Sequence, residues 1–183
     1  VIEWTAELLG VPENKGAVLA PLFVMFSAIM GSGVAIWAIF SNRKTARLKN
    51  SLDFIHVHTN NDDLWKSIGH IINLSKNNSE HKFQELATIP KNTKETDENT
   101  DLIHILEVLN QYEAMAICIN NNIYDDTALK TAIFSTVKDV YKATKPFIVK
   151  RREITKIETL FQEFEVMSEN WLKNPLKKKH NGS

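Results

Sequence analysis

The sequence predicts an all-α protein: a single N-terminal transmembrane helix that continues as a stalk into a cytoplasmic antiparallel helical bundle. Three observations point there. Gly16 to Asn42 carries no charged residue and is closed at once by Arg43, Lys44, Arg47 and Lys49. After that run the only glycines are Gly69 and Gly182, and no alternating strand pattern flanked by turn residues follows. Apolar residues recur instead at three- and four-residue steps in one segment after another.

Residues 1–16 form a short outer tail, too small to be a domain, in which Ile2, Trp4, Leu8 and Leu9 are suited to the headgroup region. Residues 17–42 form the span. Pro21 to Phe40, at about 1.5 Å rise per residue, covers roughly the 30 Å of a bilayer's hydrocarbon core. Pro21 is expected in the first turn, where its missing N–H costs nothing, and Trp37 near the far end suits an interfacial anchor. The run is long for a buried core helix and has no polar face. A cleaved signal peptide fits poorly, because Glu3, Glu7 and Glu13 precede the run against Lys15 alone. The basic cluster after the run, with no acid among its residues, places the following domain on the cytoplasmic side, with the N-terminus outside.

The basic stretch continues without a breaker through Leu48, Leu52, Phe54 and Ile55, so residues 43–60 read as a stalk helix. A bundle follows over residues 61–174. Asn61 or Asp62 caps a helix carrying Leu64, Trp65, Ile68, Ile71, Ile72 and Leu74. Residues 76–100 are polar, hold Pro90, and offer only Phe83, Leu86, Ala87 and Ile89 for burial, which predicts a short helix within a mobile loop. Thr100 or Asp101 opens a helix whose Leu102, Leu106, Leu109, Glu113 and Ala116 share a face, and Asn120-Asn121-Asn122 ends it. Asp125 caps the next helix, through Leu129, Ile133, Val137, Val140 and Tyr141, which Pro146 ends or kinks. Ile154, Ile157, Phe161, Phe164, Met167 and Trp171 read as one unbroken last helix, stopped by Pro175. Residues 175–183 are a basic tail with Lys177 to Lys179.

Ser41 to Ser183 holds 21 Lys plus Arg against 19 Asp plus Glu, a net of +2, which argues against general nucleic-acid binding. Cys118 is the only cysteine, so there is neither a disulfide framework nor a thiol-based metal cluster. No phosphate loop, nucleophile elbow or cofactor motif is present, so no cofactor is expected and an enzyme is the less favoured reading. His56 and His58, two apart on a helix, point to different sides. His70, His81, His104 and His180 lack a companion at metal-binding spacing, so no metal site is expected.

The residue that asks for an explanation is Glu113, on the apolar face of its helix. A carboxylate there pairs, accepts several hydrogen bonds or takes a proton. Arg151 or Arg152 is placed to reach it if the last two helices pack here, with Asn110 and Tyr112 adding hydrogen bonds. Two readings stay open: an ion pair that fixes helix register, or a catalytic or ligand-binding site. Within the span, Ser27, Gly31 and Ala35 recur every four residues as a small-residue ridge along which another helix can approach. The partners expected are membrane lipid and either a second copy or another membrane protein.

Leu109-Asn110-Gln111-Tyr112-Glu113-Ala114-Met115-Ala116-Ile117, then Asn122-Ile123-Tyr124-Asp125 and Leu129, resemble a bacterial and phage family known as domain of unknown function 4760. Pro146-Phe147-Ile148 with Arg152, Phe164-Glu165 with Trp171, and Arg47 with Leu52-Asp53-Phe54-Ile55 extend the resemblance over about residues 43–172. Asn122 stands where members typically have glycine, a change a turn permits. The resemblance implies a membrane-attached helical domain with no established activity. The family's presence in bacteria and phages makes phage defence or superinfection exclusion the biological setting to expect.

Overall fold

The computed structural model describes residues 13–77, 80–90 and 97–176, with side chains for 23–76, 80–90 and 100–176. The expected outer tail up to residue 12, parts of the 76–100 segment and the Lys177 to Lys179 tail lie outside the described residues.

The described residues form six helices and no strand: α1 (Glu13–Thr59), α2 (Asp62–Asn77), α3 (Glu80–Leu86), α4 (Asp97–Asn120), α5 (Asp126–Thr155) and α6 (Gln162–Lys173). The chain divides into two compact units, Val1–Thr45 and Ala46–Ser183.

In the first unit, α1 begins at Glu13, so Pro21 lies about two turns inside the helix rather than in its first turn. The large apolar side chains are open to the surroundings, Phe23 at 64% and Trp37 at 70%. The hydroxyls of Ser27 and Ser32 turn back onto the carbonyls of Val24 and Ala28, at 2.9 and 2.8 Å, leaving no polar atom of theirs unmet. By length and composition α1 and the Thr100–Asn120 stretch of α4 are both apolar enough to cross a membrane. They differ in packing: α4 buries Leu102, Ile105, Leu109, Tyr112 and Met115 in the bundle, whereas the apolar window of α1 is uncovered.

The second unit is an antiparallel bundle with one contiguous core. Leu64, Ile68 and Ile71 from α2, Phe83 and Leu86 from α3, the α4 face, Leu129 to Phe147 of α5, and Phe164, Met167 and Trp171 of α6 all enter it. Side-chain pairing gives the directions. Ser67 meets His104 while His70, one turn on, meets Asp101, one turn back, so α2 and α4 run antiparallel. Arg152 meets Glu165 and Asp126 meets Trp171, so α5 and α6 do too.

Local chemistry explains the boundaries. The Asn61 carboxamide accepts the N–H of Leu64 at 3.0 Å, and Asp125 accepts that of Ala128 at 2.9 Å, each meeting a donor that a helix start leaves orphaned. Asn122 takes the left-handed conformation, φ 57°, just beyond the end of α4.

Three further expectations are corrected. First, α4 opens at Asp97, a turn earlier than Thr100 or Asp101. Second, of the two alternatives for Pro146, ending α5 is excluded: the helix runs through it, Ala143, Thr144, Phe147 and Ile148 on both sides are buried, and tertiary packing outweighs one lost backbone bond. Third, the Ile154 to Trp171 stripe is not one helix. Lys156 and Phe161 both adopt left-handed backbone, φ 58° and 56°, and turn the chain between α5 and α6, leaving Ile154 and Ile157 exposed.

Candidate functional site

Of the five polar residues singled out in sequence, Glu113, Arg152 and Tyr112 each contact the start of α6, whereas Arg151 turns to the end of α3. Glu113 reaches the start of α6, where its carboxylate accepts the backbone N–H groups of Phe164 at 2.7 Å and Glu163 at 3.3 Å. Phe161, at the N-cap position, supplies no side-chain cap, so Glu113 does this from another helix and sets a negative charge at the positive end of the α6 dipole. Arg152 pairs with Glu165 at 2.6 Å and donates to the Leu160 carbonyl at 2.8 Å, while its Nη2 is buried without a partner. Arg151 donates to the carbonyls of Ala87 and Ile89, at 2.7 and 2.8 Å, meeting acceptors just past the end of α3. Asn110 is exposed.

Tyr112 is fully buried, and its hydroxyl lies 3.1 Å from Nε2 of His58, also fully buried. His58 is the last of a stripe on α1, Arg47, Ser51, Phe54 and His58, at spacings of four, three and four. Each residue faces the bundle. Arg47 donates to the Tyr124 carbonyl at 3.5 Å, the Ser51 hydroxyl accepts the N–H of Asp125 at 2.6 Å, and the Phe54 ring packs on Tyr124 with centroids 5.4 Å apart. Asn50 beside them donates to the Ile123 carbonyl at 3.3 Å. The imidazole of His58 stacks on Tyr112 at 5.8 Å and meets Trp65 edge-on at 5.5 Å, and Tyr112 in turn stacks on Phe164 at 5.5 Å. A chain of rings thus links α1 through α4 to α6.

Burial disfavours the charged form of both polar groups here: it pushes the His58 imidazole below its ordinary value and the Tyr112 phenol above its own. Two nitrogens of the stripe, Nδ1 of His58 and Nε of Arg47, are buried with no partner. Sequence reading passed over this junction because it asked the histidines for metal-ligand spacing. The signal was the 47-51-54-58 stripe, polar where an ordinary core face is apolar.

A second polar cluster lies between α2 and α4. His70 Nε2 is 2.5 Å from Asp101, and the Ser67 hydroxyl lies 2.8 Å from His104 Nδ1, 2.9 Å from Glu107 and 3.0 Å from the Asp63 carbonyl. Ser67 is 1% exposed, so its hydroxyl is closed off from solvent. Among the described residues no three His, Cys, Asp or Glu side chains are placed to hold a metal ion. Cys118 is half-buried. A groove of about 410 Å³ between α3 and α5 is lined by Glu80, Gln84, Lys145, Pro146, Lys150 and others, and none of the five predicted residues borders it. Ser27, Gly31 and Ala35 are all exposed on α1, and a Cβ added at Gly31 meets nothing within 4 Å.

The family described as Domain of unknown function (DUF4760) matches this sequence over residues 25–171. No curated protein and no solved structure matches it.

Proposed function

From a chain that belongs to the DUF4760 family, we propose a single-pass inner-membrane protein whose helical bundle, on the cytoplasmic side, serves as an interaction or regulatory module. One observation carries the anchoring: Phe23 to Phe40 of α1 is an uncharged run whose large apolar side chains, Phe23, Phe26, Trp37 and Phe40 among them, are more than half exposed. In water that surface is costly at about 25 cal/mol per Å², and in a bilayer it is at home. The orientation rests on Arg43, Lys44, Arg47 and Lys49.

The module reading draws on how the polar residues are used. Glu113, Arg151 and Arg152 are engaged with helix ends and with one another's neighbours, in contacts that hold helices α3, α5 and α6 in place. A membrane-tethered enzyme or ligand sensor built on Glu113 and Arg152 is the competing reading, and it would need the two to face one cleft. The partner is a second copy or another membrane protein, approached along Ser27, Gly31 and Ala35. Phage defence or superinfection exclusion is the setting in which to look for it. Deleting and overexpressing the protein while challenging cells with a broad phage panel tests that setting, and unchanged infection throughout would reject it.

A further inference from the structure

The stalk end of α1 is held to the bundle by few polar contacts, and its deepest one sits in an aromatic box. His58 is 0% exposed. The side chains around its ring are Phe54 from α1 itself, Trp65 from α2 and Tyr112 from α4. Of these only Tyr112 titrates, and it is neutral at physiological pH, with burial pushing its phenol further above its ordinary value. No carboxylate is among the ring's contacts in the described residues. Nε2 has the Tyr112 hydroxyl, and Nδ1 has nothing.

A neutral imidazole tolerates this box, since one nitrogen donates or accepts at Tyr112 and one bare position is the whole cost. An imidazolium does not. Both nitrogens then carry protons, the one at Nδ1 points into a site without an acceptor, and the charge has no counter-ion. Higher up the same stripe, Arg47 already brings a buried Nε without a partner, so the interface has little to offset a second penalty.

We propose that His58 is an acid-released latch: neutral, it docks residues 46–59 of α1 onto α2 and α4 through Tyr112, and protonated, it lets that segment go. The inference rests on the geometry of the Ala46–Ser183 unit alone, so its failure would leave the membrane and partner readings untouched. The sign follows from burial. The docked ring binds a proton less readily than the free one, whose ordinary value is 6.5. Docking is therefore at full strength above that value. As pH falls through it the undocked form is protonated first and docking weakens, by up to about tenfold per pH unit. Release uncovers the buried Tyr112 ring, bares more of Phe54, and breaks the ring chain that runs on to Phe164.

The test uses the full chain in lipid nanodiscs, with Cys118→Ser and nitroxide labels at Val57→Cys and Val166→Cys, both exposed positions. At about pH 7.5 the latch predicts one label-to-label distance, and at about pH 5.5 a second, broader population. In the His58→Phe, Tyr112→Phe double variant, which keeps the rings and removes the titration, that second population should vanish. Should that variant not fold, His58→Gln serves, being neutral at every pH and able to bond Tyr112. An unchanged distance at low pH in the parent, or the same acid response in either variant, overturns the proposal.

Discussion

The carboxylate of Glu113 on α4 accepts the backbone N–H of Phe164 at 2.7 Å and so caps a helix that begins some fifty residues later in the chain. The covalent neighbour that would ordinarily do this, Phe161, has no side-chain acceptor. Glu113→Ala should therefore destabilise the fold by about 0.5–2 kcal/mol, with Glu113→Gln costing less because an amide oxygen still accepts. Thermal unfolding followed by circular dichroism reads this out. A Glu113→Gln variant that melts like the parent yet loses biological activity would return Glu113 to the functional candidates.

Arg152 and Glu165 are paired at 2.6 Å, with side chains only 18% and 20% exposed. Removing either partner leaves the other's charge half-buried without its counter-ion, so each single alanine variant should cost about 1–3 kcal/mol. The double variant should cost less than the sum of the two. Strict additivity in a double-mutant cycle would mean that the pair contributes nothing to stability.

Tyr112→Phe removes the one hydrogen-bond partner of His58 and leaves the imidazole buried with no bond at all. The expected loss is about 1–3 kcal/mol, although the change deletes a single oxygen from a ring that keeps its stacking on Phe164. A melting temperature equal to the parent's would show that the 3.1 Å contact carries no energy.

Gly31→Leu places a large side chain where the isolated helix has open space, so any effect must arise from what approaches the helix from outside. If the Ser27, Gly31 and Ala35 ridge is an association surface, this substitution should lower self-association in a membrane two-hybrid reporter. A signal equal to the parent's removes the ridge from the account.

Lys177, Lys178 and Lys179 are a basic cluster that an anionic bilayer surface would attract at about 1 kcal/mol per residue. Binding of residues 43–183 to vesicles rich in acidic lipid should then fall steeply with salt. Absence of binding to such vesicles at low salt would discard lipid contact by the tail.

The helical class, the long apolar first helix, the starts of α2 and α5 and the end of α4 were legible in the sequence, because Asn61, Asp125 and Asn122 act locally and three-four spacing survives without tertiary context. The break between α5 and α6 was not. It uses left-handed backbone at Lys156 and Phe161, residues that give no turn signal, and the stripe from Ile154 to Trp171 kept its spacing straight through it. Of the end or kink that Pro146 signalled, the end does not occur, since burial on both sides of it is a property of the packed bundle. For the site, the face of Glu113 was readable but its partner was not: an acceptor of backbone N–H groups from a distant helix start leaves no mark in side-chain chemistry. His58 was hidden for the same reason, its burial being set by α2 and α4.

The proposed function stands most directly on which side of the membrane the bundle lies. Fusing the complete chain at its C-terminus either to a fluorescent protein or to alkaline phosphatase, and comparing the two signals in intact cells, measures this. A cytoplasmic bundle gives bright fluorescence in the membrane fraction with phosphatase inactive. An active phosphatase, or fluorescence that partitions into the soluble fraction, would contradict it.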